Sequence, residues 1–296
     1  MEWTKSISQT ITYIEDHLME PFVTEVVAKE VGISSLYLQK GFKLMTGYSM
    51  AEYIRNRRLY LAALEVLAGQ EKVIDIAYKY GYETPESFTK AFARFHGIAP
   101  RELKKNAHRM KVFLPLKIRI SIQGGNDMDY VVEEMKGFKV IGFEREFSFD
   151  SSYQEIPKFW DEICDKYFSR LWGKEKAEGE IEETICKCCV GEFGVCIDDV
   201  GKEGKFRYLI AGTYTEGKVP EGMVVYEFDD LLWAKFSCKG PMPGALQSVN
   251  TKIFNEWLPG NHEYDIAMGA NIEWYSKGNT TDIDYESGIW IPVKKK

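Results

Sequence analysis

The chain has 296 residues, of which 45% are hydrophobic and 28% charged, with six cysteines and a formal net charge of −7. These proportions fit a soluble globular chain of about two domains. The opening MEWTKSISQT has no apolar run, and no stretch approaches the roughly 18 apolar residues of a membrane span, so neither signal nor anchor is expected and a cytoplasmic location is.

Charge is unevenly divided. Residues 1–110 hold 15 Lys+Arg against 13 Asp+Glu, and residues 111–296 hold 23 against 32, so the two parts carry +2 and −9. Different partners are expected for them. The acidic part repels phosphate and attracts cations.

Residues 1–108 read as successive helices. Ile7, Ile11, Ile14 and Leu18 recur at helical spacing. Thr24 opens TEVVAKEVG, Ser34 opens SSLYLQKGFKLMTG, and each run stops at a glycine. Ser49 and Glu52 form a capping-box pair before a long helix. KVIDIAYKYG follows, and then TPESFTKAFARFHG, with Thr84 as cap and Pro85 at the first helical position.

A repeat runs through this part at an offset of 50 residues: Ser34 with Thr84, Leu38 with Phe88, Lys40 with Lys90, Phe42 with Phe92, Gly47 with Gly97. It predicts two helix-turn-helix units joined by the long helix. In each unit the second helix is the one that enters a major groove. Local basic clusters, including Arg55, Arg57 and Arg58, offer phosphate contacts. A helical bundle that binds protein has the same pattern, so both readings stay open on the repeat alone.

The run GYETPESFTKAFARFHGIAPRELKK (81–105) resembles the signature of AraC/XylS-type transcription regulators, and LYLQKGFKLMTGYSMAEYIRNRRL resembles the first half of the same domain. The resemblance implies an all-α double helix-turn-helix DNA-binding domain over 1–108. It implies promoter DNA as partner and RNA polymerase as a further one. By position it puts Leu36, Gln39, Lys40 and Lys43 of the first reading helix at the DNA, with Glu86, Ser87, Thr89, Lys90 and Arg94 of the second. Gln and Lys suit adenine and guanine edges, and Glu86 suits cytosine N4.

From about residue 112 strands alternate with Gly and Pro turns: VVEEMKGFKVIGFEREF, VGEFGVCIDD, FRYLIAGTY, MVVYEF, LLWAKFSCKG and SGIWIPV. Two amphipathic stretches interrupt them, SSYQEIPKFWDEICDKYFSRL and ALQSVNTKIFNEWL, and a doubled unit is suggested. CKCC at 186–189 invites a zinc reading. Taken as a strand it splits its thiols between two faces and lacks four converging ligands, so reduced thiols, no metal and no cofactor are expected.

The "WAKF", "WLPG", "IEWY" and "IWIPV" pieces resemble the GyrI-like effector-binding domain, expected here over 112–296. That resemblance implies an α+β fold of tandem β-α-β-β-β units with a small-molecule cleft between them. It also implies a strand glutamate that meets cationic, aromatic compounds. In the strand Ile272-Glu273-Trp274-Tyr275, alternation puts Ile272 and Trp274 on one face and Glu273 and Tyr275 on the other. Glu273 and Tyr275 are therefore the expected ligand-facing residues, with Trp160 and Phe193 as pocket walls. The expected function is a transcription regulator with a hydrophobic or cationic effector, and not an enzyme. Hydrolysis of a bound compound, with Glu273 as base, or sequestration of a compound or protein are the alternatives.

Overall fold

The computed structural model describes residues 3–118, 128–149, 151–172, 176–198 and 204–296. Its N-terminal part is helical. α1 (Trp3–Asp16) buries Ile7, Ile11 and Ile14 on one stripe. α2 (Thr24–Val31) and α3 (Ser35–Thr46) form the first helix-turn-helix, and α4 (Met50–Ala68) leads to the second, α5 (Val73–Lys79) and α6 (Pro85–His96). α7 (Pro100–Leu103) ends the series.

The expected caps are present. The Ser34 and Thr84 side chains accept from the amides of Tyr37 and Ser87, and Ser49 with Glu52 closes a capping box. Gly47 and Gly97 end α3 and α6 in the left-handed conformation, the second at φ 75°, which any side chain would oppose. Two arginines that the charge pattern offered to phosphates have inward roles instead. Arg57 pairs with Glu15 at 2.8 Å and donates to the Phe113 carbonyl, and Arg58 donates to the Leu18 and Glu20 carbonyls.

The remaining elements are β1 (Tyr130–Met135), β2 (Phe138–Ser148), α8 (Ser152–Ile163), α9 (Ser169–Trp172), α10 (Gly179–Cys188), β3 (Phe193–Ile197), β4 (Lys205–Tyr214), β5 (Val224–Phe228), β6 (Leu231–Lys239), α11 (Gly244–Lys252), α12 (Leu258–Gly260), β7 (Tyr264–Ile266), β8 (Ala270–Tyr275) and β9 (Glu286–Lys295). The described strands make one antiparallel sheet in the order β1-β6-β9-β8-β3-β4-β2-β5, with β7 on β9.

That order explains the doubled unit. β2, α8, β3, β4 and β5 form one β-α-β-β-β repeat, in which β5 pairs with β2. β6, α11, β8 and β9 form the second, and its fourth strand is β1, from the beginning of the segment. The units meet at β3–β8. α8 and α11 each run into a wide π turn, Cys164–Phe168 and Ile253–Trp257, so the repeat extends to a local irregularity.

One face of the sheet is covered by helices. Ile141, Phe143, Tyr208 and Ile210 pack there with Phe159 and Ile163 of α8. Phe236, Ile289 and Ile291 pack there with Phe254 and Trp257. The same cluster continues into the helical part through Trp3, Ile7, Tyr37, Leu38 and Phe42. Gly41 of α3 makes this junction close, because a methyl group there would overlap the Trp3 indole and press on Phe254. The opposite face gathers Val195, Leu209, Trp233 and Ile272.

The CKCC segment is not a strand. α10 carries Cys186 and Cys188, and Cys189 caps it in the left-handed conformation. Glu182, Ile185 and Cys188 are its buried stripe, at three-residue spacing. Helical phase therefore buries Cys188 and leaves Cys186 exposed.

Candidate functional site

The site is built on β8. Its register sets Ile272 opposite Val195 and Glu273 opposite Gly194. Ile272 is fully buried on the face away from the helices. Glu273 and Tyr275 turn toward α8, as the alternation predicts.

Around Glu273 the hydrogen bonds form a connected chain. Trp160 Nε1 of α8 donates to the Tyr208 hydroxyl at 3.0 Å. The Tyr208 hydroxyl donates to Glu273 Oε2 at 3.2 Å, and the Tyr275 hydroxyl donates to the same oxygen at 2.8 Å. The Trp160 and Tyr275 rings stand edge to face, centroids 5.5 Å apart. Burial, reinforced by the Glu273 charge, holds both phenols well above their usual range, so they remain protonated donors. Among the described residues no donor reaches Glu273 Oε1. One carboxylate oxygen is thus held and its companion faces the cleft.

Gly194 makes this geometry possible. A methyl group at that position would overlap the Tyr208 hydroxyl and approach Glu273 Oε2. Tyr208 and Gly194 were not among the residues singled out from the sequence. Their signal is visible only when three strands are registered: Tyr208 sits two residues along β4 from the partner of Gly194, and Gly194 faces Glu273.

The surrounding cleft has a volume of about 1460 Å³. Trp160, Phe206 and Tyr208 supply aromatic wall, and Glu192 and Glu273 supply acid. Leu246, Gln247 and Asn250 of α11 line it from the second unit, and Leu36, Gln39, Lys40 and Lys43 of α3 line it from the helical part. Phe193 is not in this cleft. Its parity matches that of Ile272, so it is buried on the opposite face against Trp290. Cys164, Cys186, Cys189 and Cys196 also border the cleft. Among the described residues no group of His, Cys, Asp and Glu side chains is arranged to hold a metal ion.

The two reading helices of the repeat have different surroundings. On α6, Glu86, Ser87, Lys90 and Arg94 are exposed and Thr89 is half-buried, while Phe88 and Phe92 face inward. On α3, Leu36 is only 3% exposed and joins the core beneath α8. The Leu36 amide donates to Asp198 Oδ2 at 2.9 Å, and the Tyr37 hydroxyl donates to the Ala270 carbonyl at 2.8 Å. The positions the repeat makes equivalent are therefore open on one helix and turned into the cleft on the other.

Residues 27–106 match a family model described as a helix-turn-helix domain, and residues 131–293 match the family described as integron-associated effector binding protein. The chain is an AraC-type transcription regulator with a GyrI-like effector-binding domain. The regulator is similar to the regulatory protein SoxS of Escherichia coli (strain K12), 36% identical over 110 residues, which are 37% of this chain and all of SoxS. The multiple antibiotic resistance protein MarA of Salmonella typhimurium is 31% identical over 113 residues, 38% of this chain and 89% of MarA. The solved structure of SAV2435 bound to tetraphenylphosphonium aligns with 56% of the regulator and 94% of its own chain, at TM-score 0.45 and 20% identity. Among the described residues no helix is long and apolar enough to cross a membrane.

Proposed function

We propose that residues 1–108 of the regulator form the promoter-binding domain and residues 112–296 the effector-binding domain, and that the effector is an aromatic cation received by Glu273. The observation that carries this is the half-satisfied carboxylate: two phenols fix Oε2, and Oε1 is open to an aromatic-walled cleft. Such an acid attracts a delocalised cation by charge, while Trp160 and Tyr275 add cation–π contact. With Oε2 held by two phenols, the carboxylate is fixed in place as an acceptor, which suits a binding role over the hydrolytic alternative. On the DNA side, Glu86, Ser87, Thr89, Lys90 and Arg94 of α6 carry base and phosphate contact. The protein acts in the cytoplasm and meets RNA polymerase at the promoter.

Fluorescence anisotropy on a duplex from the regulator's own upstream region tests the DNA arm. Sequence-selective, salt-sensitive binding is expected. Lys90→Ala and Arg94→Ala should each lower the slope of log affinity against log salt by about 1. Absence of selective binding at every concentration of an aromatic cation such as tetraphenylphosphonium overturns the reading.

A further inference from the structure

We propose that the effector-binding domain covers the first reading helix as a built-in stand-in for DNA, with the Asp198 carboxylate in the place of a backbone phosphate. In this conformation α6 alone reads bases, and the regulator recognises one major-groove segment and not two. This rests on the reading of residues 1–108 as the promoter-binding domain and adds which of its two helices is open to DNA.

Three observations support it. First, an anion already sits where DNA would be. A reading helix meets DNA at its N-terminal end, where first-turn amides lack helical acceptors and bind phosphate oxygens. On α3 such an amide, that of Leu36, donates to Asp198 Oδ2 at 2.9 Å. Asp198 directly follows β3, and its own amide donates to the Gly269 carbonyl at 2.7 Å, so the carboxylate is carried by the sheet. Gly269 brings the helix cap close, because a methyl group there would press on the Ser34 and Asp198 side chains. On α6 the Thr84 side chain caps the Ser87 amide, and among the described residues no acidic side chain holds the amide of Glu86, the match of Leu36.

Second, the side chains at that end differ between the two helices. The 50-residue offset matches Leu36 with Glu86 and Tyr37 with Ser87. Leu36 and Tyr37 are 3% and 1% exposed, whereas Glu86 and Ser87 are open to solvent. Leu36 is the one residue of the helical part in the core beneath α8. The Tyr37 hydroxyl donates to the Ala270 carbonyl at 2.8 Å, and its ring lies 6.1 Å from that of Phe254. The inward residues of α6, Phe88 and Phe92, pack entirely within the helical part. Leu and Tyr at the leading end of α3 suit a domain core, and Glu and Ser at that of α6 suit base edges.

Third, the cover is fastened along the whole first helix-turn-helix. Glu25 of α2 accepts from the Gly204 amide at 2.9 Å, and Gly41 of α3 admits Trp3 and Phe254. Lys40 and Lys43 already have interaction partners, whereas Lys90 and Arg94 of α6 are exposed. The covering part also carries the acidic balance of the chain, −9 over residues 111–296, the sign that DNA presents. For DNA to reach α3, a close-packed apolar core and the Asp198 and Tyr37 hydrogen bonds must open together.

Selection of binding sequences from a randomised duplex by the full chain tests this. One informative segment is expected, and Glu86→Ala with Ser87→Ala should weaken binding to it about tenfold. Asp198→Ala with Tyr37→Phe removes the two polar ties. That variant should show faster amide hydrogen exchange in α3 and should select a second segment about 10 base pairs from the first, the spacing of successive major-groove faces. Two segments selected by the wild type would overturn the proposal while leaving the DNA-binding reading intact. So would unchanged affinity in the Glu86/Ser87 variant, which would assign the segment to α3. A single segment in the untied variant, with its α3 exchanging faster, also overturns it, because α3 would then be no reader even when uncovered. If the untied variant is unfolded or its α3 exchanges as before, the wild-type selection and the Glu86/Ser87 variant decide. Selection of no segment at all overturns the promoter-binding reading, and this proposal with it.

Discussion

Replacing Glu273 with Gln tests how much of effector recognition is charge. Gln keeps the shape and can still accept from Tyr208 and Tyr275 through its amide oxygen. What it removes is one negative charge about 5 Å from a bound cation. Coulomb's law gives about 3 kcal/mol at an effective dielectric of 20 and about 0.8 kcal/mol at 80. Glu273 is half-buried beside an open cleft, so a value near 2 kcal/mol is appropriate. That weakens a monocation about 30-fold. Isothermal titration with tetraphenylphosphonium measures it, and triphenylphosphine oxide serves as a neutral aryl control whose affinity should change less than about threefold. Raising the salt should narrow the gap between wild type and variant for the cation only. If Glu273→Gln leaves the cation unaffected, or weakens cation and neutral compound alike, the charge has no selective part and Glu273 is a structural acceptor for the two phenols.

Three further outcomes follow from the geometry. Gly194→Ala puts a methyl group against the Tyr208 hydroxyl; cation affinity should fall about tenfold with the fold retained by circular dichroism, and wild-type affinity would refute the close packing. Arg57→Met leaves Glu15 without its partner in a nearly buried pair and frees the Phe113 carbonyl; urea unfolding should show a loss of about 3–5 kcal/mol, and a loss under 1 kcal/mol would show that solvent screens the pair. His96 is held below its ordinary pKa, chiefly by burial, with the Leu59 carbonyl on one ring nitrogen and the Lys111 amide donating to the other. Because the folded state then binds its proton less readily than the unfolded one, stability is complete above about pH 6.5 and falls as pH drops below it, by at most about 1.4 kcal/mol per unit. The urea midpoint measured between pH 8 and 5.5 should slope less in His96→Gln, and identical slopes would remove His96 from the account.

The helical part was the more legible. Caps, glycine stops and apolar stripes are local signals, and α3, α4 and α6 end where Gly47, Gly69 and Gly97 stop them. The pairing of Glu273 with Tyr275 was also legible, because alternation needs only one strand. Alternation could not say what lies over each face. Both faces of this sheet are buried, so Phe193 and Glu273 looked equally suited to a pocket until register separated them. Tyr208 belongs to the same oxygen as Tyr275 yet is 65 residues from Glu273. The 50-residue repeat predicts equal roles for α3 and α6, since matched sequence gives matched helices. It carries no information about Leu36 joining the buried cluster that holds Phe159, or about its amide donating to Asp198, because both lie in the part of the chain beyond the repeat.

The strand order also governs how this chain reaches its native state. β1 closes the second repeat by pairing Tyr130 with Phe236, about a hundred residues further on. During synthesis that edge waits for β6, and the second repeat remains one strand short until the beginning of the segment returns to it. Such long-range closure raises contact order and slows folding. It also ties the two repeats into a single cooperative unit. Cutting the chain between β5 and β6 should therefore yield two incompetent fragments, and not two small domains, even though the sheet looks like a pair of matching halves.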